Sequence, residues 1–151
     1  MTQLLNQLSG REFIQYSHEL EGRKEGNVQL RTTCYQGFKQ DLMKASGVIC
    51  NSGFELISEC LYLGLPILTK PVQGQMEQES NALALKKLAL AHVMTSLDKT
   101  AIEHWFECRS YQARQPIPDV AKAIVAALLS EDKIRVSEIS QRLWQAYAAK
   151  G

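Results

Sequence analysis

Two polar clusters carry the residues best suited to bind a ligand, and the first of them lies at a glycine turn. Ser52 and Gly53 follow a short apolar run at Val48–Cys50 and precede an apolar helical pattern at Phe54–Leu63. A helix that begins directly after a strand presents unpaired main-chain N–H groups and the positive end of its dipole. Such a helix start can hold phosphate oxygens, and Gly53 lets a ligand approach the main chain closely. A helix start that binds nothing explains the turn equally well.

The same turn has the sequence of a capping box. In this motif a Ser hydroxyl and the carboxylate of a Glu three residues later each accept a hydrogen bond from an otherwise unpaired N–H group. Ser52 and Glu55 have this spacing. The motif predicts Ser52 as the N-cap of the helix.

Glu59 is of interest because its charge is hard to place. It lies one turn beyond Glu55, so two like charges are neighbours on the helix, which costs about 0.2–0.5 kcal/mol without compensation. Leu56, Cys60 and Leu63 make its surroundings apolar. The carboxylate therefore lies either at the solvated edge of the helix or where it accepts hydrogen bonds from a ligand.

The second polar cluster begins the next predicted helix. Asn81, Leu85 and Leu88 recur at i, i+4 and i+7, and Gln78 lies three residues before Asn81. The face of this helix that packs on the core therefore has amides at its N-terminal end. Because buried amides need partners, we expect both to face the crevice beyond the carboxyl ends of the strands. Hydrogen bonds to a neighbouring loop would satisfy either amide singly.

Both clusters belong to a longer pattern that resembles the donor-binding signature of GT-B glycosyltransferases. The run NSGFELISECLYLGLPILTKP, followed by EQESNA, is similar to G-x-x-x-x-x-E-x-L-x-x-G-x-P-x-x-x-x-P and then (D/E)-Q-x-x-N-A. The MurG-type enzymes of family 28 and their relatives are the most similar, and a weaker likeness extends over most of the chain. The matching residues are Gly53, Glu59, Leu61, Gly64, Pro66, Pro71, Glu77, Gln78, Asn81 and Ala82.

The resemblance implies how a nucleoside diphosphate would bind. Glu59 falls where the acidic residue of the family holds the ribose hydroxyls. The main-chain amides of Ser52, Gly53 and Phe54 fall where the diphosphate lies. The resemblance therefore assigns the nucleotide to the helix that follows the glycine turn.

The resemblance also implies contacts to the sugar and to the base. Gln78, with Glu77 and Asn81 beside it, falls where the family contacts the sugar hydroxyls. Cys34 and Tyr35 fall roughly where main-chain groups meet the base. No metal ligand and no catalytic residue is expected in this chain, since the family usually carries its catalytic base on the acceptor-binding domain.

Short apolar runs alternate with helical patterns along the chain, which is typical of a doubly wound α/β fold. Strands are predicted at 13–16, 27–31, 48–50, 66–69 and 91–94, with 48–50 in the middle of the sheet. We expect a mostly parallel sheet of four to five strands flanked by helices, the Rossmann-like half of a GT-B fold. Residues 1–151 are interpreted as a single nucleotide-sugar-binding domain, from which the acceptor-binding N-terminal domain is absent.

The remaining segments are predicted to be a loop and five helices, of which the first ends at residues 4–8 and the second spans 38–45. Residues 18–26 are charged and predict a loop, and Asp98 is the predicted N-cap of a helix that extends through Phe106. Two further helices are predicted at 120–129 and 137–149. Their core-facing stripes are Ile124, Ala127 and Leu128 in the first, and Ile139, Leu143 and Tyr147 in the second.

Composition and charge argue against several classes of protein. The net charge is +1, from 17 basic and 16 acidic residues, whereas a nucleic-acid-binding protein needs an excess of Lys and Arg. No apolar run approaches the roughly 20 residues of a membrane helix. The 4 cysteines show no C-x-x-C spacing and the 3 histidines are scattered, so no metal site is expected. A reduced, cytoplasmic location fits best.

The leading hypothesis is a metal-independent hexosyltransferase that uses a UDP-sugar, with GlcNAc as one candidate sugar, and an unidentified acceptor. No cofactor besides this donor substrate is expected, and the isolated domain is expected to be inactive. The alternative is a non-catalytic donor-binding subunit that works only with a separate acceptor-domain partner. A fragment of a nucleotide-sugar epimerase is less favoured, because the sequence offers no catalytic acids or His for that reaction.

Overall fold

The computed structural model describes residues 1–18, 22–111, 118–130 and 135–148, with side chains of the last range described as far as residue 145. The chain forms two compact units, Met1–Ala113 and Arg114–Gly151. Whether the whole chain acts as a single nucleotide-sugar-binding domain stays a prediction.

Apart from one short strand, the first unit has its strands and helices in the order that the sequence pattern predicts. Its strands are β1 (Phe13–Ser17), β2 (Arg23–Glu25), β3 (Val28–Thr32), β4 (Val48–Asn51), β5 (Ile67–Lys70) and β6 (His92–Val93). Its helices are α1 (Thr2–Leu5), α2 (Tyr35–Lys44), α3 (Phe54–Leu63), α4 (Met76–Lys87) and α5 (Lys99–Cys108). The described part of the unit is therefore an α/β fold of the Rossmann-like type.

The strands form two three-stranded sheets, with the orders β1-β3-β2 and β4-β5-β6. In the first sheet β1 is parallel to β3 and β2 is antiparallel to it. In the second sheet both pairs are parallel, with Val48 opposite Ile67 and Leu68 opposite His92. The expected parallel pairing and flanking helices are confirmed, but each sheet has fewer strands than the four to five predicted.

Two strands differ from their predicted places. β4 is an edge strand of its sheet, although its apolar sequence favours the middle. β2 lies within the segment that was predicted as a loop because of its charged residues. In the structure Arg23, Lys24 and Glu25 of this segment pair along β3. An antiparallel edge strand can be polar because one side of it is solvated, so its hydrophobic pattern is weak.

The buried side chains form a core on each face of the strands. On one face, which we call the α5-side core, the buried residues are Leu5, Leu8, Val28, Leu30, Leu68, Met94, Ile102 and Trp105. On the other face, the α3-side core, they are Leu42, Ile57, Cys60, Leu65, Ile67 and Leu85. Successive residues of β5 point to opposite faces, as the pleat of a strand requires. Helices on both faces make the unit doubly wound.

Local sequence signals fix the ends of two helices as expected. Asp98 is the N-cap of α5, and its carboxylate accepts a hydrogen bond of 2.9 Å from the N–H of Ala101. Gly64 ends α3 with φ at 70°, a left-handed conformation that glycine adopts without strain. Among the described helices, none is long and apolar enough to cross a membrane.

The second unit contains the helices α6 (Val120–Leu129) and α7 (Val136–Ala148). Both helices were predicted. Of the predicted core residues of α6, Ala127 is partly buried, but Ile124 and Leu128 are exposed, the latter to 79%. Ile139 and Leu143 of α7 are partly buried. The predicted stripe residue Tyr147 lies outside the described side chains.

The predicted apolar stripe of α4 is also corrected. Leu85 is buried, with 6% of its surface exposed, whereas Leu88 is 66% exposed. Leu88 is the C-cap of the helix and no longer has helical dihedral angles. The stripe therefore ends one turn earlier than the periodicity predicts.

Leu85 and Leu88 offer a matched test of this core. We expect Leu85→Ala to lower the free energy of unfolding by about 2–5 kcal/mol, because it leaves a cavity in the α3-side core. Leu88→Ala should change it by less than about 0.5 kcal/mol, because that side chain is solvated. Urea denaturation followed by circular dichroism measures both, and similar losses for the two variants would contradict the described packing.

Candidate functional site

The turn after β4 is fixed by a buried hydroxyl pair. Ser52 is fully buried, and its Oγ lies 2.9 Å from Oγ1 of Thr69 on the neighbouring strand β5. The predicted capping box is therefore wrong. The N-cap of α3 is Gly53, and no side chain caps this helix, because the Ser52 hydroxyl is committed to Thr69.

The uncapped start of α3 leaves main-chain N–H groups for another partner. Within the described ranges, the N–H of Gly53 makes a single long contact, of 3.4 Å, to Oδ1 of Asn51. A side chain at Gly53 would meet the same Asn51 oxygen and no other atom within 4 Å, so the main chain is accessible from outside. Helix starts of this kind attract anions through their N–H groups and their dipole.

Two amides from α4 hold the turn in place. Oε1 of Gln78 accepts hydrogen bonds from the N–H groups of Ser52, at 3.2 Å, and Val72, at 3.0 Å. Nδ2 of Asn81 donates to the carbonyl of Ser52 at 3.0 Å. Both predicted sugar-binding amides therefore bond to the main chain after β4 or β5. The N–H of Ser52, predicted to meet a phosphate, is engaged by Gln78.

Gln78 keeps one group that a ligand could reach. Its Nε2 donates at 2.8 Å to Oε1 of Gln75, and Gln75 is an exposed residue at the N-cap of α4. Glu77 follows in the first turn of the helix and is also exposed. The predicted sugar contacts are thus placed at the surface beside the turn.

Glu59 forms a salt bridge with Lys39 of α2. The two side chains are 37% and 33% exposed, so the pair lies at the edge of the helices and outside the core. The hydrogen bond to Glu59 raises the pKa of Lys39. A raised lysine pKa means that the pair persists at neutral pH and is lost as the pH rises through that value.

The pair links Glu59 to the predicted base-binding loop. Nζ of Lys39 also lies 5.5 Å from the centre of the Tyr35 ring, within range of a cation–π contact. Tyr35 is exposed, and Cys34 before it is the extended N-cap of α2. Residues that were predicted to contact the ribose and the base are therefore brought together through a lysine.

The structure adds two residues that the sequence did not single out. Thr69 is a buried polar residue in an apolar strand, which is a weak signal for a structural hydroxyl. Lys39 is separated from Glu59 by 20 positions, so nothing in the local pattern connects them. Phe54, by contrast, lies as predicted at the start of α3, where its side chain is exposed.

The main-chain segments of the candidate site lie beyond the carboxyl ends of the parallel strands. Ser52 follows β4, Val72 follows β5 by two residues, and Cys34 follows β3 by two residues. Ligands of open α/β sheets bind at this edge. Among the described residues, no cluster of three His, Cys, Asp or Glu side chains is arranged to hold a metal ion.

Comparison with known families identifies the chain. The family model described as glycosyl transferase family 1 matches residues 1–108, which includes every predicted donor-binding residue. The chain belongs to glycosyl transferase family 1. No curated protein and no solved structure matches it significantly.

Membership of a glycosyl transferase family supports a transferase and a nucleotide-sugar donor. The matched family is family 1, so the closer likeness to the MurG-type enzymes of family 28 stays a prediction. The assignment of individual residues to ribose, diphosphate, sugar and base also stays a prediction, because a match to the family as a whole does not identify the contacts of each residue.

The cysteines of this transferase fall into two classes. Burial raises the pKa of Cys50 to about 11 and that of Cys60 to about 12. Cys34 and Cys108 are exposed. Because only the thiolate is nucleophilic, the two buried thiols should be inert under mild conditions.

Alkylation at pH 8 tests this division. Iodoacetamide should modify Cys34 and Cys108, while Cys50 and Cys60 remain free, because thiols with pKa values of about 11 and 12 are almost wholly protonated at pH 8. Peptide mass spectrometry gives the extent of modification at each site. The chain unfolded in urea serves as the control in which all four react. Equal rates at Cys60 and Cys34 in the native chain would refute the described burial.

Substitution at Gln78 tests how the turn is held. We expect Gln78→Leu to lower the free energy of unfolding by about 1–3 kcal/mol, because two N–H groups lose their acceptor. Gln78→Glu keeps an acceptor and should cost less, and Gln75→Leu is the matched surface control. Urea denaturation measures all three. If Gln78→Leu is as stable as Gln75→Leu, the two hydrogen bonds that Gln78 accepts from the main chain contribute nothing to the free energy of unfolding.

Proposed function

We propose that this chain is the donor-binding half of a metal-independent GT-B glycosyltransferase similar to the MurG-type enzymes. It would hold a UDP-sugar and present the anomeric carbon to an acceptor on an acceptor-binding domain, in the same or another chain. The observation that carries the proposal is the uncapped, accessible start of α3 with the carboxylate of Glu59 on the same helix. A cytoplasmic location belongs to the same proposal.

The helix start supplies the diphosphate site. The N–H groups of Gly53 and Phe54 and the dipole of α3 would hold the phosphate oxygens. Glu59 lies six residues after Gly53, which is about 9 Å along a helix axis at 1.5 Å per residue. This separation is compatible with a carboxylate that lies beyond the phosphate site and contacts the ribose of the same donor.

The chemistry assigned to this half is stabilisation of the leaving group. Transfer of a hexosyl group breaks the bond between the anomeric carbon and the diphosphate, and negative charge develops on the departing oxygens. Fixed N–H groups aimed at that charge lower the barrier without reorganising. The attacking acceptor and the base that removes its proton would come from the acceptor-binding domain, so residues 1–151 alone should not transfer sugar.

Gln78 and Asn81 would act at two levels. Their bonds to Ser52 keep the turn rigid, which fixes the N–H groups in advance of binding. The Nε2 group of Gln78 could exchange its exposed partner Gln75 for a sugar hydroxyl. This exchange keeps both main-chain bonds intact and so makes the sugar contact compatible with the observed turn.

A non-catalytic donor-binding subunit is the second candidate. The exposed leucines of α6, Leu128 at 79% and Leu129 at 82%, favour it, because an exposed apolar surface often marks an interface with another protein. Recovery of transfer activity when an acceptor-domain protein is added would distinguish this candidate from a donor half that is active only within one polypeptide.

Calorimetric titration with UDP-GlcNAc tests donor binding. We expect binding by the wild-type chain and a loss of roughly tenfold or more in affinity for Glu59→Gln, because a hydrogen bond to a charged group contributes about 1.5–3 kcal/mol. Glu55→Gln, one turn earlier on α3, is the matched control and should bind like the wild type. Circular dichroism checks that both variants fold.

A further control separates the ligand contact from the salt bridge. Lys39→Met also breaks the pair with Glu59 but leaves the carboxylate, so it should not reduce affinity. Absence of heat with UDP-GlcNAc and other nucleotide sugars at millimolar concentration would exclude donor binding by this chain. Equal losses for Glu59→Gln and Lys39→Met would show that the pair matters only for structure.

A further inference from the structure

Lys70 is the last residue of β5, and it lies directly opposite Asn51, the last residue of β4. Residues that are opposite each other in a parallel pair lie side by side, and their side chains project from the same face of the sheet. Ser52 follows Asn51 and begins the turn that leads into α3. The pairing of the two strands therefore places a lysine beside the candidate phosphate site.

The pleat of each strand shows which face carries Lys70. Leu68, two residues earlier in β5, belongs to the α5-side core, and residues two apart in a strand share a face. Asn51 projects from the same face, since Ile49 of β4 packs on that core. From there Oδ1 of Asn51 lies 3.4 Å from the main-chain nitrogen of Gly53. Lys70 and Asn51 thus approach the turn from the α5 side.

The turn is accessible from this side and occupied on the other. Thr69 projects from the opposite face of β5, and its hydroxyl is buried against that of Ser52. Gln78 of α4 takes the N–H of Ser52. A Cβ added at Gly53 would meet the Asn51 oxygen and no other atom within 4 Å. The face that carries Lys70 is therefore the one from which a ligand can reach the main chain.

The charge of Lys70 is not balanced by a neighbouring carboxylate. Among the described residues, none forms a salt bridge with it, although the residue is partly buried. Asp98, which follows the neighbouring strand β6, already accepts hydrogen bonds from Ser96 and Ala101. A partly buried ammonium group without a counter-charge is stabilised by an anion that binds beside it.

We propose that Lys70 is the cationic contact to the diphosphate of the donor, and that it makes this domain select nucleoside diphosphates over nucleoside monophosphates. The inference rests on the proposed donor site at the start of α3. The N–H groups of Gly53 and Phe54 would hold one phosphate, and the ammonium group of Lys70 would pair with the other. A monophosphate satisfies the helix start alone and leaves the lysine unpaired.

The electrostatics of α3 explain why a further cation is needed. The start of a helix carries the equivalent of only about half a positive charge, whereas each phosphate of a diphosphate ester is negative. Glu55 and Glu59 of the same helix add negative charge near the site. Lysine is a compact charge on a flexible stem, so Lys70 can follow the phosphate oxygens from its place at the end of β5.

Calorimetric titration of the full chain with inorganic pyrophosphate, UDP and UMP tests this role. We expect Lys70→Met to lower the affinity for pyrophosphate and UDP by about tenfold or more, because a charge-assisted contact is lost. The affinity for UMP should change by less than about threefold, and the salt dependence of UDP binding should become shallower. Circular dichroism checks that the variant folds.

Two further variants serve as controls. Lys87→Met removes the same charge from an exposed position in the last turn of α4, so it should bind all three ligands like the wild type. Lys70→Arg keeps the charge and should retain most of the affinity for UDP. Equal losses for UDP and UMP in Lys70→Met would overturn the proposed selection of diphosphates.

The choice of ligands separates this inference from the proposed function. If UDP binds and Lys70→Met binds it as tightly as Lys87→Met does, the donor site stands and the role of Lys70 is refuted. If pyrophosphate binding depends on Lys70 while UDP and UDP-GlcNAc bind no more tightly than pyrophosphate, the role of Lys70 holds and the nucleotide-sugar assignment fails. A wild-type chain that binds neither pyrophosphate nor UDP overturns both.

Discussion

The turn at Ser52 depends on a set of short-range polar contacts that together fix its main chain. The Ser52 hydroxyl bonds to Thr69 on the neighbouring strand. The N–H of Ser52 donates to Gln78, and its carbonyl accepts a hydrogen bond from Asn81. Since buried polar groups without partners are costly, this turn has little freedom to move. The start of α3 follows directly from it, so the orientation of the helix dipole is set by side chains from β5 and α4.

The order of helices and strands could be predicted from the sequence because it depends on local patterns. The apolar runs at β4 and β5, the glycine that ends α3 and the aspartate that begins α5 each carry their signal within a few residues. The lateral arrangement of the strands could not be predicted in the same way. The pairing of a strand depends on partners distant in sequence, which is why β4 was expected in the middle and lies at an edge.

The same distinction explains the candidate site. Ser52, Gln78 and Asn81 were singled out correctly as polar residues that need partners. The two amides bond to the main chain after β4 and β5, and the Ser52 hydroxyl bonds to Thr69. The capping box failed because a tertiary contact to Thr69 competes with the local bond to the helix. Glu59 was expected at a solvated edge or against a ligand, and its lysine partner on α2 could not be identified from any periodicity.

The ion pair between Lys39 and Glu59 has a consequence for any ligand that uses the carboxylate. Such a ligand must compete with an ammonium group that is already in contact, so its apparent affinity includes the free energy of separating the pair. Dissolved salt weakens partly exposed ion pairs. An uncharged diol that binds Glu59 would therefore compete better at high ionic strength, whereas the attraction of the helix start for phosphates would weaken. Higher salt would thus strengthen the contact to the ribose of a nucleotide and weaken the contact to its phosphates.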